Sequence, residues 1–231
     1  MLKNTREDAK QAYFLFNEAG TLSPGYRESI EMMNQAEYNA TLRVGYEELN
    51  ESNTNYGSLQ PVINSLQRQF LSFKPLTQKD TVPPHQYLRI AFRGYRIDTQ
   101  PQISTSAEEI RKDIKVGEKK GTDGKTQDVM QTVTAKIIYF HKVKRATSNA
   151  IVTITDVKTS AILQDENING DVIWQYDWAT FSGDARALNS SQQSLAKKGE
   201  VNPNNQDMFN QSIRNLENNL SRQLQGFYSS Y

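Results

Sequence analysis

The sequence has no cysteine and only two histidines, His85 and His141, among its 231 residues. Without a thiol there can be no cysteine nucleophile, thiolate zinc site, iron–sulfur cluster or disulfide framework. Two imidazoles all but exclude a multi-histidine metal centre. Charge of one sign is missing too. Lys and Arg number 27 against 26 Asp and Glu, a net +1, which argues against a chain whose main task is holding phosphate backbones. No apolar run approaches the length of a membrane-spanning helix. The first residues, Met1-Leu2-Lys3-Asn4-Thr5-Arg6, lead into a polar helix with no apolar region and no cleavage site. The chain is therefore read as cytoplasmic if complete as given, or as an exported form whose signal has been removed. No cofactor, metal or catalytic residue is assigned.

What is present reads as a soluble α+β protein. Ala9, Ala12, Tyr13, Phe16 and Ala19 recur at spacings of three and four, one apolar face of a helix. Ser23-Pro24 supplies a cap and first-turn proline for a second helix carrying Tyr26, Ile30, Met33, Ala36 and Tyr38. Alanines at close-approach positions and the Pro24-Gly25-Tyr26 junction give a tetratricopeptide-like pattern. Only about one and a half repeats are present, so the pair must dock on the rest of the chain or follow further repeats. The alternative is an ordinary helix pair. Arg43–Tyr46 reads as a short strand, 47–57 as a loop, and 59–73 as a helix ended by Pro75. Residues 87–97 alternate as a half-buried strand. Residues 98–128 read as a mobile excursion with a hairpin-like tip at Asp123-Gly124. Two β-rich runs follow, 132–140 and 150–157. The turn Asp156–Ser160 then leads to a third, 161–174. Residues 177–204 read as irregular, and 207–228 as a long amphipathic helix closing on the sheet. The expected architecture is a helical arm over 1–44, then a mainly antiparallel α+β domain over 45–231, with excursions near 98–128 and 185–205.

Candidate chemistry is sparse. Neither histidine sits in a nucleophile-elbow or metal-spacing context. Glu108-Glu109 and Asp165-Glu166 read as solvated charge. Gly117…Gly121…Gly124-Lys125-Thr126 lacks the spacing of a phosphate loop. The basic run His141-Lys142-Val143-Lys144-Arg145 reads as a solvated hairpin end, with contact to an acidic partner or anionic headgroups as the alternative. Both tryptophans fall in Trp174-Gln175-Tyr176-Asp177-Trp178, where aromatics alternate with polar residues. Such a run either packs a sheet under the C-terminal helix or offers a stacking surface. Gly183 allows a tight turn, and Asp184 and Arg186 are placed to pin it by pairing.

Two stretches carry a family resemblance. Asp156-Val157-Lys158-Thr159-Ser160-Ala161-Ile162-Leu163, followed by Ile168-Asn169-Gly170, resembles a strand–turn–strand of envelope lipoproteins. These are related to the curli secretion channel protein and to outer-membrane lipoprotein activators of penicillin-binding proteins. The run from Trp178 to Leu188, with Pro24-Gly25-Tyr26 upstream, resembles repeat-bearing lipoproteins of Bacteroidota. The resemblance implies a non-enzymatic role in the periplasm or at the outer membrane, with a protein complex as partner, no nucleic acid, and membrane attachment only through a lipid anchor. It carries over no binding residue. The leading expectation is thus a non-catalytic scaffold or adaptor of the bacterial cell envelope. It would make contact through Tyr13, Tyr26 and Tyr38 on the arm and through Trp174 and Trp178 on the domain. The alternative is a periplasmic ligand- or glycan-binding module using Trp174, Tyr176 and Trp178.

Overall fold

The structure is a computed structural model that describes residues 5–24, 27–77, 82–122 and 124–231. It is a mixed α+β chain with two N-terminal helices, a mostly antiparallel set of strands and a 24-residue C-terminal helix. No helix among the described residues is long and apolar enough to cross a membrane. The chain forms two compact units. The first comprises residues 1–96, 147–171 and 210–231, and the second residues 97–146 and 172–209.

The first unit opens with α1 (Arg6–Leu22). Thr5 caps it, accepting from the Asp8 N–H, while the Asp8 carboxylate accepts from the Thr5 N–H and hydroxyl. Ser23, expected to start the second helix, instead ends the first by donating its N–H to the Ala19 carbonyl. Helix α2 (Arg27–Ala40) packs against α1. Its inward stripe is Ser29, Met33, Ala36 and Ala40. Residues 25–26 of the expected Pro-Gly-Tyr junction, Tyr26 included, lie outside the described residues.

Strand β1 (Leu42–Asn50) outruns the expected Arg43–Tyr46. Its Glu48 carboxylate accepts from the Tyr56 hydroxyl (2.6 Å), the Ser58 hydroxyl (2.8 Å) and the Leu59 N–H (2.8 Å), and so organises the loop that follows. The single helix expected over 59–73 is two elements, α3 (Gln60–Asn64) and β2 (Leu71–Pro75). The helix ends at Asn64, and Phe70, whose φ of 64° lies in the left-handed region, turns the chain into β2. Beyond Phe70 the burial period changes from helical to alternating, with Leu71 and Phe73 inward. β2 and β3 (Gln86–Ile97) flank β1, both parallel to it.

The second unit corrects the largest expectation. Residues 98–128 are not an irregular excursion but most of a long hairpin, β4 (Gln102–Lys120) and the start of β5 (Thr126–Asp156). Its tip is closed by Gly121 N–H to Lys125 O and Gly124 N–H to Gly121 O, with Gly124 at φ +73°. Asp123 lies outside the described residues. Polar composition misled because β4 exposes nearly all of its side chains, so it lacks the apolar alternation that marks a strand.

Nor is there a break between 140 and 150: β5 is one strand of 31 residues. Lys142 and Lys144 are not solvated. They alternate inward with Ala146 and are 2% and 6% exposed. The Lys142 ammonium donates to Glu200 Oε1 (2.6 Å) and to Asn202, and Lys144 donates to Asn205 Oδ1 (2.8 Å). The run is thus not the solvated hairpin end expected of it; of the two lysines, Lys142 meets a carboxylate of the chain itself, Glu200. The buried parity of β5 also changes, from Val133, Ala135 and Ile137 to Lys142, Lys144 and Ala146. The first set packs with Ala187 and Leu188 of the 3-10 turn Ala185–Ala187 and its exit, with Leu195 of α4 (Ser190–Ala196) beside them. Those elements occupy part of the stretch expected to be irregular.

β5 turns at Asp156–Ser160 into β6 (Ile162–Gly183). The Asp156 carboxylate accepts from the Thr159 N–H and hydroxyl, both at 2.8 Å. In the first unit the strand order is β2-β1-β3-β5-β6, and in the second β4-β5-β6.

Helix α5 (Asn205–Tyr228) seals the first unit with Ile213, Leu216, Leu220, Leu224 and Tyr228. It lies backbone-to-backbone on Gly170 of β6, where a Cβ would stand 2.0 Å from the Ser212 carbonyl oxygen and 2.5 Å from the Leu216 nitrogen. The buried Ser148 hydroxyl donates to that same Ser212 carbonyl (2.8 Å). Asn215 and Asn219 donate to the carbonyls of Asp171 (2.7 Å) and Asn169 (2.8 Å). Gly170→Ala is therefore expected to destabilise the chain by about 3 kcal/mol or more in urea unfolding, since backbone must move to admit the methyl. Gly199→Ala, with nothing within 4 Å, should stay within about 0.5 kcal/mol of wild type.

Candidate functional site

The first unit holds a cleft of about 570 Å³, within the range of ligand and peptide sites. Its floor is β1 at Arg43-Val44-Gly45. Its walls come from Tyr38 of α2, Lys74, Pro75 and Leu76 at the end of β2, and Pro83, Pro84 and Tyr87 at the entry to β3. Gly45 makes this closure sterically feasible: a Cβ there would meet Leu76 at 2.5 Å, Pro84 at 3.1 Å and Tyr87 at 3.4 Å. Backbone bonds fix the walls to the floor, Leu76 N–H to Tyr46 O (2.9 Å) and His85 N–H to Arg43 O (2.8 Å). Tyr38 and Tyr87 remain substantially exposed, so aromatic surface faces outward on two sides.

Arg43 joins these elements. Its guanidinium lies over the Tyr38 ring at 4.7 Å and donates to the Tyr38 carbonyl (3.1 Å). Its backbone N–H faces His85 Nδ1 at 3.1 Å and its Nη2 faces His85 Nε2 at 2.9 Å. Both ring nitrogens thus meet N–H donors. A neutral imidazole can accept at one of them, a protonated one at neither. Burial, then the nearby Arg43 and Arg6 charges, hold the His85 pKa below its ordinary value, with Asp156 opposing. This is a structural lock beneath the cleft, and neither His85 nor Arg43 was singled out by pattern. The readable signals were a glycine inside a strand and two prolines before another.

The sequence-derived contact residues fall in different places. Tyr13 is half-buried, its ring edge-on to Phe14 and to Phe70 (5.2 Å), where it fastens α1 to the unit. Tyr38 is exposed and lines the cleft. In the second unit Trp174, Tyr176 and Trp178 come together as alternate residues of β6. Trp174 stacks on Tyr176 (5.8 Å) and Tyr176 neighbours Trp178 (6.1 Å). Their faces have internal partners. Trp178 is buried and stacked on Phe140 at 4.9 Å with Lys142 nearby, and Lys198 lies 5.7 Å over Tyr176. Gly183 ends β6 at φ +101°, with a hypothetical Cβ 2.5 Å from Thr134 O. Asp184 then accepts from the Arg186 backbone N–H and, through two oxygens, from its guanidinium. That guanidinium holds the Asp184 carboxyl down at about 2.

The histidine missed as a neighbour of carboxylate is His141. Strand register sets Ser104 opposite it on β4, and its Nδ1 lies 2.6 Å from Asp177 Oδ1 on β6. His141 and Asp177 are exposed, and no hydrogen bond joins Ser104 to the ring among the described residues. The row therefore lacks the serine–histidine contact that activates a nucleophile.

The sign of the His85 effect is definite. Between the ordinary value near 6.5 and its lowered folded value, the unfolded chain holds a proton that the folded chain does not, so stability falls as pH drops through that window. The urea midpoint of wild type should decrease from pH 7.5 to 5.5 by more than that of His85→Leu. Equal decreases would mean that the ring is not held neutral.

No protein-family model matches the chain, and no curated protein matches it.

Proposed function

We propose that the chain is a non-catalytic adaptor that binds a protein partner through the outward face of its N-terminal helix pair and the adjoining cleft. The observation that carries this reading is the apolar surface of those helices. Not one residue of α1 is fully buried. Phe14, Leu15 and Leu22 on α1 are 55%, 66% and 79% exposed, and Ile30, Met32 and Tyr38 of α2 are about half exposed. Six large apolar side chains thus stand exposed on these two helices, a density of outward apolar surface that suits protein contact, and Tyr38 also lines the cleft. Tyrosines with arginine and lysine beside them suit an anchor segment that is apolar with an acceptor at one end. The resemblance to envelope lipoproteins attaches this reading to the bacterial cell envelope, with an assembly or secretion complex as partner. The glycan-binding alternative is less favoured, because the rings of Trp178 and Tyr176 already have internal partners.

A photo-crosslinking residue at Leu15 or Tyr38, in the full chain expressed in its own cells, should capture one and the same membrane-fraction protein. The same probe at Lys158, on the turn after β5, should not. Leu15→Glu and Leu22→Glu should each weaken binding of that partner by about tenfold or more. Cell-wall fragments should leave tryptophan fluorescence unchanged. Absence of capture together with a fluorescence shift would overturn the adaptor reading in favour of the glycan one.

A further inference from the structure

Among the described residues β4 ends the sheet of the second unit, pairing with β5 and with no other strand. It is 19 residues long and almost wholly exposed. Long edge strands are usually kept from pairing by charged side chains, proline, bulges or short length. β4 has no proline, and its central charges are of both signs in a symmetric order: Glu108-Glu109-Ile110-Arg111-Lys112. The side chains of Glu109, Arg111 and Lys112 make no hydrogen bond or ion pair among the described residues. Glu108 accepts from the Tyr139 hydroxyl (2.9 Å) and the Gln192 amide (3.3 Å), which leaves its carboxylate further acceptor capacity.

We propose that β4 pairs antiparallel, edge to edge, with β4 of a second copy of this chain, about a two-fold axis through Ile110. The register follows from geometry. Alternate residues of a strand present N–H and C=O to the free edge, so two copies of one edge pair only residues of like parity. The axis must therefore pass through a residue. Through Ile110, Glu109 stands opposite Arg111 of the other copy and Glu108 opposite Lys112, each pair occurring twice by symmetry. Ile110 meets Ile110, and Ile114 meets Ser106. An axis through Glu109 or Arg111 would set like charges face to face, as would one through Glu108 or Lys112. The bulge between Lys115 and Gly117 ends the uninterrupted ladder, which leaves residues 104–116 to pair. This self-association is independent of the helix-pair reading.

Sedimentation equilibrium of the full chain tests it. Wild type should dimerise, about tenfold more weakly at 500 mM than at 50 mM salt, because the four charge pairs are exposed. The double variant Arg111→Glu/Lys112→Glu and the double variant Glu108→Lys/Glu109→Lys should each be monomeric. Mixed together, they should recover a heterodimer, which separates loss of pairing from loss of folding. Because the chain has no native cysteine, Ile110→Cys should also form a covalent dimer under mild oxidation, whereas Ser104→Cys, opposite Val116, should not. A monomeric wild type, homodimers of either charge variant, or equal crosslinking at both positions would overturn the proposal.

Discussion

The contact on which the first unit depends is the seat of α5 on Gly170. Burying Leu216, Leu220 and Leu224 completely requires the helix to lie closer to β6 than any side chain at position 170 would allow. Close approach then brings polar groups within reach, and they are used. Ser148 satisfies the Ser212 carbonyl, while Asn215 and Asn219 satisfy carbonyls of an edge strand. Those amides also blunt that edge against pairing with another chain. Apolar burial, a missing Cβ and three hydrogen bonds are one packing solution, and none of them is stable without the others.

The second unit solves a different problem. β5 offers Val133, Ala135 and Ile137 to one cover, then reverses parity and offers Lys142 and Lys144 to another. The second cover is a polar segment ending in α5, so the buried side chains that meet it are long and cationic rather than aliphatic. Glu200, Asn202 and Asn205 receive the two ammonium groups. A buried ammonium that lost these partners would be strongly destabilising, which ties the conformation of residues 197–205 to the strand beneath it.

This division explains which parts were legible in the sequence. Element type was readable where burial imposes a period: the 3.6 repeat of 207–228, the alternation of 87–97, and the turn chemistry of Asp156–Ser160. It was unreadable where burial is absent or inverted. β4 leaves all its side chains but Ile110 and Ile114 exposed and so carries no alternation. The centre of β5 buries lysine, which pattern reads as solvent. A period shared by Val62, Ile63, Leu66, Phe70 and Phe73 concealed a helix and a strand, because the turn backbone over 65–70, with Phe70 in the left-handed region, separates them without interrupting the apolar spacing. Of the candidate contact residues, Tyr38 was found by pattern but its cleft was not. Arg43, Pro84 and Tyr87 meet only once β1, β2 and β3 are side by side. The aromatic spacing at 174, 176 and 178 correctly signals a shared face, yet cannot tell which faces the chain itself covers.

Helix α1 buries none of its residues fully, and its Phe14, Leu15 and Leu22 face outward. Native-state hydrogen exchange of the full chain measures this directly. Amides of α1 should exchange at least about a hundredfold faster than those of α5 between Ser212 and Leu224, because no residue of α1 is itself fully buried while Leu216, Leu220 and Leu224 are. Protection of α1 equal to that of α5 would contradict it, since the helix would then be held by burial that this structure does not contain.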